Sequence, residues 1–158
     1  MSAINAVPDA NVRSQTYYVA RATAQCRHCG SPTRLLALAM PRIHETLDDE
    51  WQCADANAFL FYVGELPDDV RHRLQALSPH FRRARSAATQ SIYWANHCEH
   101  CGTLLGDHEL HCEPDGAFAP SSEAAAADIE LLHVHAPLRA AASGYALEPE
   151  FFRFMRGS

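Results

Sequence analysis

The apolar and polar positions along the chain predict a set of short β-strands. Two such runs, residues 16–24 and 34–40, flank a Cys-x-x-Cys-Gly sequence. Strand-like runs joined by a short turn are typical of an antiparallel hairpin. We therefore expect the first two cysteines to lie at the tip of a hairpin, with Pro41 closing its second strand.

Further strands are predicted in the rest of the chain. Residues 59–63 form a short, continuous apolar run, which is typical of a buried strand. Residues 91–94 are predicted to be a strand that enters a second Cys-x-x-Cys-Gly sequence. Residues 129–135 alternate between apolar and polar positions, and we expect residues 138–145 to pair with them.

Helical patterns are few. Pro67 suits the first helical position, and Asp68 and Asp69 suit the positive end of the helix dipole. The apolar face of this helix is predicted to consist of Val70, Leu74 and Leu77. Ser122 followed by Glu123 predicts a brief, Ala-rich second helix. The acidic segment 44–55 is predicted to be a loop anchored by Trp51, whereas residues 102–111 fit either a helix or a strand.

Length and composition suit one compact globular domain. The chain has 158 residues, of which 47% are hydrophobic and 20% charged. We expect a flexible lead at residues 1–14, a single domain at residues 15–155, and a vector-like tail at residues 156–158. Because no export signal and no apolar run of ~18 residues is found, we expect a cytoplasmic protein without a membrane partner.

The two Cys-x-x-Cys-Gly sequences carry the strongest chemical signal. Two residues between cysteines let a tight turn aim both sulfurs at one ion, and two such pairs complete a tetrahedral zinc site without an open position. We therefore expect one structural zinc ion bound by Cys26, Cys29, Cys98 and Cys101. The long separation of the pairs matters little, because each doubling of loop length costs only about 0.6 kcal/mol.

The second pair lies in a longer motif, Tyr93-Trp94-x-Asn96-His97-Cys98-x-x-Cys101-Gly102, followed by Gly106-Asp107 and Pro114-x-Gly116-x-Phe118. This motif resembles a group of uncharacterised bacterial proteins, and the two Cys pairs together resemble a zinc ribbon with a long insertion. The resemblance implies a zinc site and supplies no reaction. The expected fold class is α+β, with antiparallel β-hairpins, zinc-ribbon-like knuckles and a few short helices.

Alternatives to a shared four-sulfur site remain open. One is a redox-active Cys-x-x-Cys pair, and another is two separate sites that each add a histidine, His28 or His97 with His100. Cys53 and Cys112 are interpreted as small buried apolar residues. A second metal site could use one of two histidine pairs, His108 with His111 or His133 with His135. No catalytic signature such as His-Glu-x-x-His accompanies them, and no catalytic residue is assigned.

Charge is arranged in blocks along the chain. All 13 basic residues are Arg, and the net charge is −6. Residues 10–43 and 70–97 carry Arg without any acid, while residues 44–69 and 98–150 are rich in acids. These blocks can face one another in the fold or lie on a solvated surface. Alternatively, five Arg residues form a partner-binding face: Arg71, Arg73, Arg82, Arg83 and Arg85.

The sequence therefore predicts a non-enzymatic, zinc-stabilised binding or adaptor module for a protein partner. A nucleic-acid-binding regulator that uses residues 71–85 is the first alternative, with Phe81 or Tyr93 stacking on bases. The acidic net charge weakens non-specific attraction to nucleic acid. A metal-dependent hydrolase that uses the histidines is the second alternative.

Overall fold

The computed structural model of the protein describes residues 7, 9–47, 49–85 and 90–157. These residues are mostly β-strand and form antiparallel sheets, as expected for the predicted α+β class. The strands are β1 (Val12–Ser14), β2 (Tyr17–Gln25), β3 (Pro32–Met40), β4 (His44–Leu47), β5 (Glu50–Cys53), β6 (Ala58–Glu65), β7 (Arg82–Arg85), β8 (Ile92–His97), β9 (Leu104–Leu105), β10 (Glu130–Val134), β11 (Leu138–Leu147) and β12 (Arg156–Gly157). The α-helices are α1 (Asp68–Leu77) and α2 (Glu123–Ala127), with a π-helical turn at His108–Cys112 and a 3₁₀ turn at Phe152–Phe154. None of these helices has the length and apolar character that crossing a bilayer requires.

Nine of the strands form one large sheet in the order β12-β10-β2-β3-β6-β11-β1-β4-β5. Neighbours in this sheet are antiparallel, except that β10 and β12 are parallel. The remaining three strands form a small antiparallel sheet in the order β7-β8-β9. The first Cys pair therefore belongs to the large sheet, and the second pair follows β8 of the small sheet.

Several sequence predictions are confirmed. The hairpin around the first Cys pair is β2–β3, whose last paired residues before the tip are Gln25 and Pro32. The apolar run 59–63 lies in β6. The first helix buries Val70 and Leu74 as predicted, but Pro67 is its N-cap residue in an extended conformation, and the first helical residue is Asp68. In the second helix the Ser122 side chain accepts the first-turn N–H of Ala125, as an N-cap residue does.

Other predictions are wrong in how segments pair. The predicted loop 44–55 contains the β4–β5 hairpin, and Trp51 is half-buried with the Arg13 guanidinium 4.3 Å from its ring centre. Residues 129–135 contain β10 and residues 138–145 lie within β11, but these strands do not pair with each other. Strand β10 pairs with β2, and β11 pairs with β6 and β1. The predicted helix-or-strand segment 102–111 contains both a strand and the start of the π-helical turn.

Both ends of the described chain belong to the sheet. Residues 12–14, assigned above to a flexible lead, form β1, in which Val12 is fully buried. Asn11 exchanges two hydrogen bonds of 2.8 Å with the backbone of Ala142, beside an irregularity in β11. The lead's residues 1–6 and Pro8 lie outside the described residues. Residues 156–157 of the predicted tail form β12, and Ser158 is not described.

The centre of the large sheet is buried on both faces. Along β3, Leu36, Leu38 and Met40 join a core that includes α1 and Trp94. The alternate residues Leu35, Ala37 and Ala39 join a second core that includes Cys26, Cys98 and Phe118. Because successive strand residues point to opposite faces, a continuous apolar run is what a doubly covered strand requires. The second core places the two buried cysteines side by side.

Candidate metal centre

The first cysteine knuckle is a tight turn at the tip of the β2–β3 hairpin. The backbone N–H of Cys26 donates to Ser31 O at 2.9 Å, and the N–H of Gly30 donates to Cys26 O at 2.7 Å. The N–H of His28 points at Cys26 Sγ, 3.4 Å away. The turn therefore brings a backbone donor to the sulfur that would bind an ion.

The second knuckle repeats this hydrogen-bond pattern between β8 and β9. The N–H of Cys98 donates to Thr103 O at 2.9 Å, the N–H of Gly102 donates to Cys98 O at 2.9 Å, and the N–H of His100 lies 3.4 Å from Cys98 Sγ. Gly30 and Gly102 both have φ of +77°, which glycine adopts readily and other residues adopt at a cost. A Cβ at either position would meet no neighbour within 4 Å, so backbone conformation is what calls for glycine there.

The two knuckles bring four sulfurs together. The Sγ atoms of Cys26, Cys29, Cys98 and Cys101 all lie within 4.8 Å of one another. The Cys26–Cys101 sulfur distance is 3.7 Å, and the Cys29–Cys98 distance is 3.6 Å. None of the four is in a disulfide. Ligand sulfurs around a tetrahedral zinc ion with Zn–S near ~2.3 Å are about 3.8 Å apart, so these separations fit one ion.

The surroundings of the sulfurs favour thiolates at part of the site. The backbone N–H groups of Cys101 and His100 lower the pKa of the Cys98 thiol to about 6, against the effect of burial. The Thr103 hydroxyl and backbone lower the pKa of the Cys101 thiol. Donors from the backbone of Cys29 and His28 also act on Cys26, but burial and the neighbouring sulfurs outweigh them and raise its pKa. Metal binding would displace the remaining thiol protons.

Polar contacts hold the two knuckles against each other. The Glu99 carboxylate accepts Arg34 Nη2 at 3.0 Å and the Arg34 backbone N–H at 3.2 Å. The backbone N–H of Glu99 donates to the Thr33 hydroxyl at 3.0 Å, and the His100 ring nitrogen lies 2.9 Å from Pro32 O. Glu99 and His100, the two residues between the cysteines of the second pair, thus contact β3, the strand that follows the first pair. Sequence reasoning missed these contacts, since nothing local marks them.

The structure also places the other cysteines and the histidines. Cys53 and Cys112 are exposed, so their interpretation as buried residues is wrong. His111 is stacked among Phe59, Phe61 and Phe118, with ring centres 5.1–5.6 Å away. Burial among these rings lowers the pKa of His111 to about 3.

Neither histidine pair joins a second metal cluster in the described part of the chain. His108 extends away from the rings that surround His111 and lies 3.5 Å from a Glu113 oxygen. His133 forms a hydrogen bond with the Thr16 hydroxyl at 2.9 Å, and its ring lies tilted beside that of His135, with ring centres 4.2 Å apart. Across residues 7, 9–47, 49–85 and 90–157, the four-cysteine group is the only cluster with metal-binding geometry.

Four of the five Arg residues in the first block pair with acids from later in the chain, while Arg13 lies over the Trp51 ring. Arg27 pairs with Glu109 at 2.6 Å, Arg34 with Glu99 at 3.0 Å and Arg42 with Asp55 at 3.3 Å, and Arg21 pairs with Glu130. Acidic and basic blocks therefore do face each other for this half of the pattern.

The second block of Arg residues divides into two groups. Arg71 pairs with Asp68 at 3.0 Å, and Arg73 donates to the hydroxyl of the buried Tyr17. The other three lie exposed on β7: Arg82, Arg83 and Arg85. We call these three residues the arginine edge. Among the described residues, no carboxylate pairs with them, and Arg85 reaches only the Gln90 carbonyl at 3.4 Å.

The aromatic residues that could have stacked on bases lie in the core. Phe81 is 5% exposed and Tyr93 is 3% exposed. Phe81 stacks on Trp94, and the Tyr93 hydroxyl accepts the Asp107 backbone N–H at 3.3 Å. Neither ring can stack on a nucleic-acid base without leaving the interior.

Asp107, which belongs to the motif noted in the sequence, is buried in the structure. Its buried carboxylate accepts the backbone N–H of Tyr62 at 2.8 Å, and Tyr62 has φ of +52° within β6. Burial raises the pKa of Asp107 to about 7, with the Tyr62 N–H opposing the shift. The Gly106-Asp107 step of the motif is the one sequence signal that pointed to it.

No protein-family profile matches the chain, and comparison with curated proteins and with solved structures also gives no match. The resemblance noted for the motif at residues 93–102 stays an expectation.

Proposed function

We propose that the four-cysteine group binds one zinc ion and that this ion is structural. Two sulfur distances between the knuckles, 3.7 Å for Cys26–Cys101 and 3.6 Å for Cys29–Cys98, carry the proposal, because they match a single tetrahedral ion bound by both knuckles. All four positions would be taken by protein sulfurs, so no site would remain for a substrate or water. A reducing compartment such as the cytoplasm would keep the thiols available for the metal.

Metal analysis tests the zinc proposal. We expect one zinc ion per chain after purification without added metal, and an intense thiolate-to-metal charge-transfer band after replacement by Co²⁺. Cys26→Ser should lose both signals, whereas Cys53→Ser and Cys112→Ser should keep them, because those two thiols lie outside the group. A metal-free protein, or one whose metal survives Cys26→Ser, would contradict a shared zinc site.

We further propose that the zinc-stabilised domain is a non-enzymatic binding or adaptor module for a protein partner, which it contacts through the arginine edge. The supporting observation is the contrast between the two Arg blocks. Arg21, Arg27, Arg34 and Arg42 are matched by acids of the same chain, whereas the arginine edge is exposed without such partners in the described residues. Guanidinium groups pair with carboxylates in a bidentate geometry, so a complementary acidic surface is a suitable partner.

Capture from a cell lysate tests this binding function. The triple variant Arg82→Ala, Arg83→Ala and Arg85→Ala should fold normally and lose the partner that the parent protein retains, with or without nuclease. The matched control replaces Arg42, Arg139 and Arg153 by Ala, since it removes the same charge from other elements. Equal capture by both triple variants would overturn the arginine edge as the binding surface. Loss of the partner on nuclease treatment would identify nucleic acid instead.

A further inference from the structure

We propose that the partner presents an acidic segment that adds as an extended strand to the open edge of β7. This inference rests on the proposed binding function and specifies the chemistry and conformation of the partner. It concerns the small sheet, whose strand order β7-β8-β9 gives β7 only one neighbouring strand among the described residues.

Some backbone N–H and C=O groups of β7 are positioned to bond to a further strand. It pairs with β8 from Arg82 opposite Ala95 to Arg85 opposite Ile92. In an antiparallel pair, alternate residues turn their N–H and C=O groups away from the neighbour. Within the described residues, no other backbone group bonds to these outward positions. An added strand would form backbone hydrogen bonds with these outward groups, which is the usual basis of peptide recognition at sheet edges.

Both faces of this edge carry positive charge. Side chains alternate along a strand, so Arg83 and Arg85 lie on the face that carries Trp94 and Ile92, while Arg82 lies on the opposite face with Ala95. A strand laid beside β7 also presents its side chains alternately to the two faces. Acidic residues at alternate positions of such a strand would therefore lie on the face that carries Arg83 and Arg85.

The charge also selects among possible strands. Natural proteins place charged residues on edge strands to prevent pairing with other chains. Arg occupies three of the four positions of β7. A neutral strand added there would desolvate the guanidinium groups, and a basic strand would be repelled by their like charge. An acidic strand is the exception, because pairing with it satisfies the guanidinium groups as well as the backbone.

Shape and charge favour a short peptide over a nucleic acid. The strand that carries the arginine edge, β7, is only four residues long, and the chain has a net charge of −6. DNA carries a negative charge about every 1.7 Å along its axis, so a nucleic acid extending beyond the edge would meet the acidic remainder of the chain. The buried positions of Phe81 and Tyr93 remove the stacking platform that single strands use.

Fluorescence anisotropy with defined peptides on the zinc-loaded full chain tests the proposal. The probe is a blocked, labelled octapeptide in which glutamate alternates with valine. One comparison peptide has glutamine in place of glutamate. The other carries N-methyl groups on alternate backbone nitrogens and is made in two versions, each of which blocks hydrogen bonding along one edge of the peptide strand. We expect the parent peptide to bind and both the glutamine peptide and one N-methylated version to bind about tenfold more weakly.

Two further measurements separate the possible outcomes. Hydrogen exchange should show protection of backbone amides within residues 82–85 when the glutamate peptide binds. The arginine-edge triple variant should lose about tenfold in affinity, and the Arg42, Arg139 and Arg153 control should not. If both N-methylated peptides bind as tightly as the parent peptide while the triple variant still loses binding, strand addition is wrong, but the arginine edge remains the binding surface. No binding of the glutamate peptide, or tighter binding of a single-stranded oligonucleotide at the same edge, would overturn the proposal.

Discussion

The side-chain amide of Asn96 forms two hydrogen bonds with the backbone of Leu36, with Oδ1 accepting the N–H at 2.8 Å and Nδ2 donating to the carbonyl at 2.9 Å. Leu36 lies in β3, which pairs with β6 only at residues 38–40. On that side of β3 the Asn96 amide takes the place that a neighbouring strand would occupy. It joins the small sheet to the large sheet just before the second cysteine knuckle.

Replacing Asn96 with Ala should destabilise the protein by roughly 2–4 kcal/mol, because two buried backbone groups of Leu36 would lose their partners. Asn96 is 2% exposed, so water cannot easily replace the lost contacts. The free energy of unfolding from urea titration measures the effect. Gln52→Ala removes an amide from an exposed position of β5 and should change stability by less than about 0.5 kcal/mol. A similar loss in both variants would mean that the Asn96 contacts contribute little.

Cys98→Ser should lose the metal and loosen both halves of the candidate site. The Cys98 sulfur lies 3.6 Å from Cys29 Sγ on the other knuckle, and binding of a structural ion is coupled to folding. Hydrogen exchange should therefore accelerate near Cys26 as much as near Cys101. Cys112→Ser provides the matched control, with unchanged exchange at both knuckles. Loosening confined to residues 93–112, with metal retained, would show that the two pairs do not share an ion.

Glu99→Gln should weaken the contact between the knuckles without removing a sulfur ligand. Hydrogen bonds from the Arg34 side chain, and to a lesser extent its backbone N–H, lower the pKa of the Glu99 carboxylate. The charged form is therefore the one that the fold stabilises, and this contribution is present above the ordinary Glu pKa and lost on acidification. At pH 7 we expect zinc to pass to a chelator up to about fivefold faster in the variant. Glu113→Gln, an exposed change outside the knuckles, should leave the transfer rate unaltered.

Asp107→Asn should stabilise the protein more at pH 8 than at pH 4. Burial raises the pKa of Asp107 from its ordinary value of 3.8 to about 7, so the folded state holds this proton more tightly than the unfolded state does. The free energy of unfolding of the parent therefore decreases as pH rises from about 4 to about 7, because Asp107 loses its proton over this range. Asn retains an acceptor for the Tyr62 N–H and removes the charge. The variant's advantage should grow by roughly 4 kcal/mol across that range.

Denaturation of parent and variant at several pH values measures this difference. Other groups around Asp107 are Tyr62, Tyr93 and Cys112, whose pKa values are raised by burial, so they stay protonated across this range. His111 acts in the opposite direction, since its lowered pKa makes the fold less stable as pH falls below 6.5. Subtracting the parent's curve removes that contribution. The control Asp115→Asn makes the same change at an exposed residue whose φ of +62° Asn tolerates, so it lacks the burial on which the Asp107 prediction depends. A flat difference for Asp107→Asn would refute the role of its buried charge.

Local features of the fold could be read from the sequence because their causes are local. The β2–β3 hairpin follows from two strand-like runs around a Gly-containing turn, and α1 follows from Asp68 and Asp69 ahead of a period of apolar residues. Convergence of the four cysteines was also predictable, since each Cys-x-x-Cys-Gly turn offers half of a tetrahedron. The π-helical turn and the β4–β5 hairpin lack such signals. Both depend on distant neighbours, such as the Phe rings around His111 and the Arg13 side chain over Trp51.

The sequence by itself determined where the β2–β3 hairpin, β6 and α1 form, which cysteines can act together, and that two Arg blocks lack acids nearby in the chain. Only the tertiary structure decided that β10 and β11 take different partners, that Asn96 fills the open side of β3, and that the arginine edge is left without an acidic partner among the described residues. The physical reason is the distance along the chain over which each effect acts. Side-chain periodicity and turn geometry act over a few residues, whereas strand partners and ion pairs are selected by burial of both faces of the sheet, which involves the whole chain.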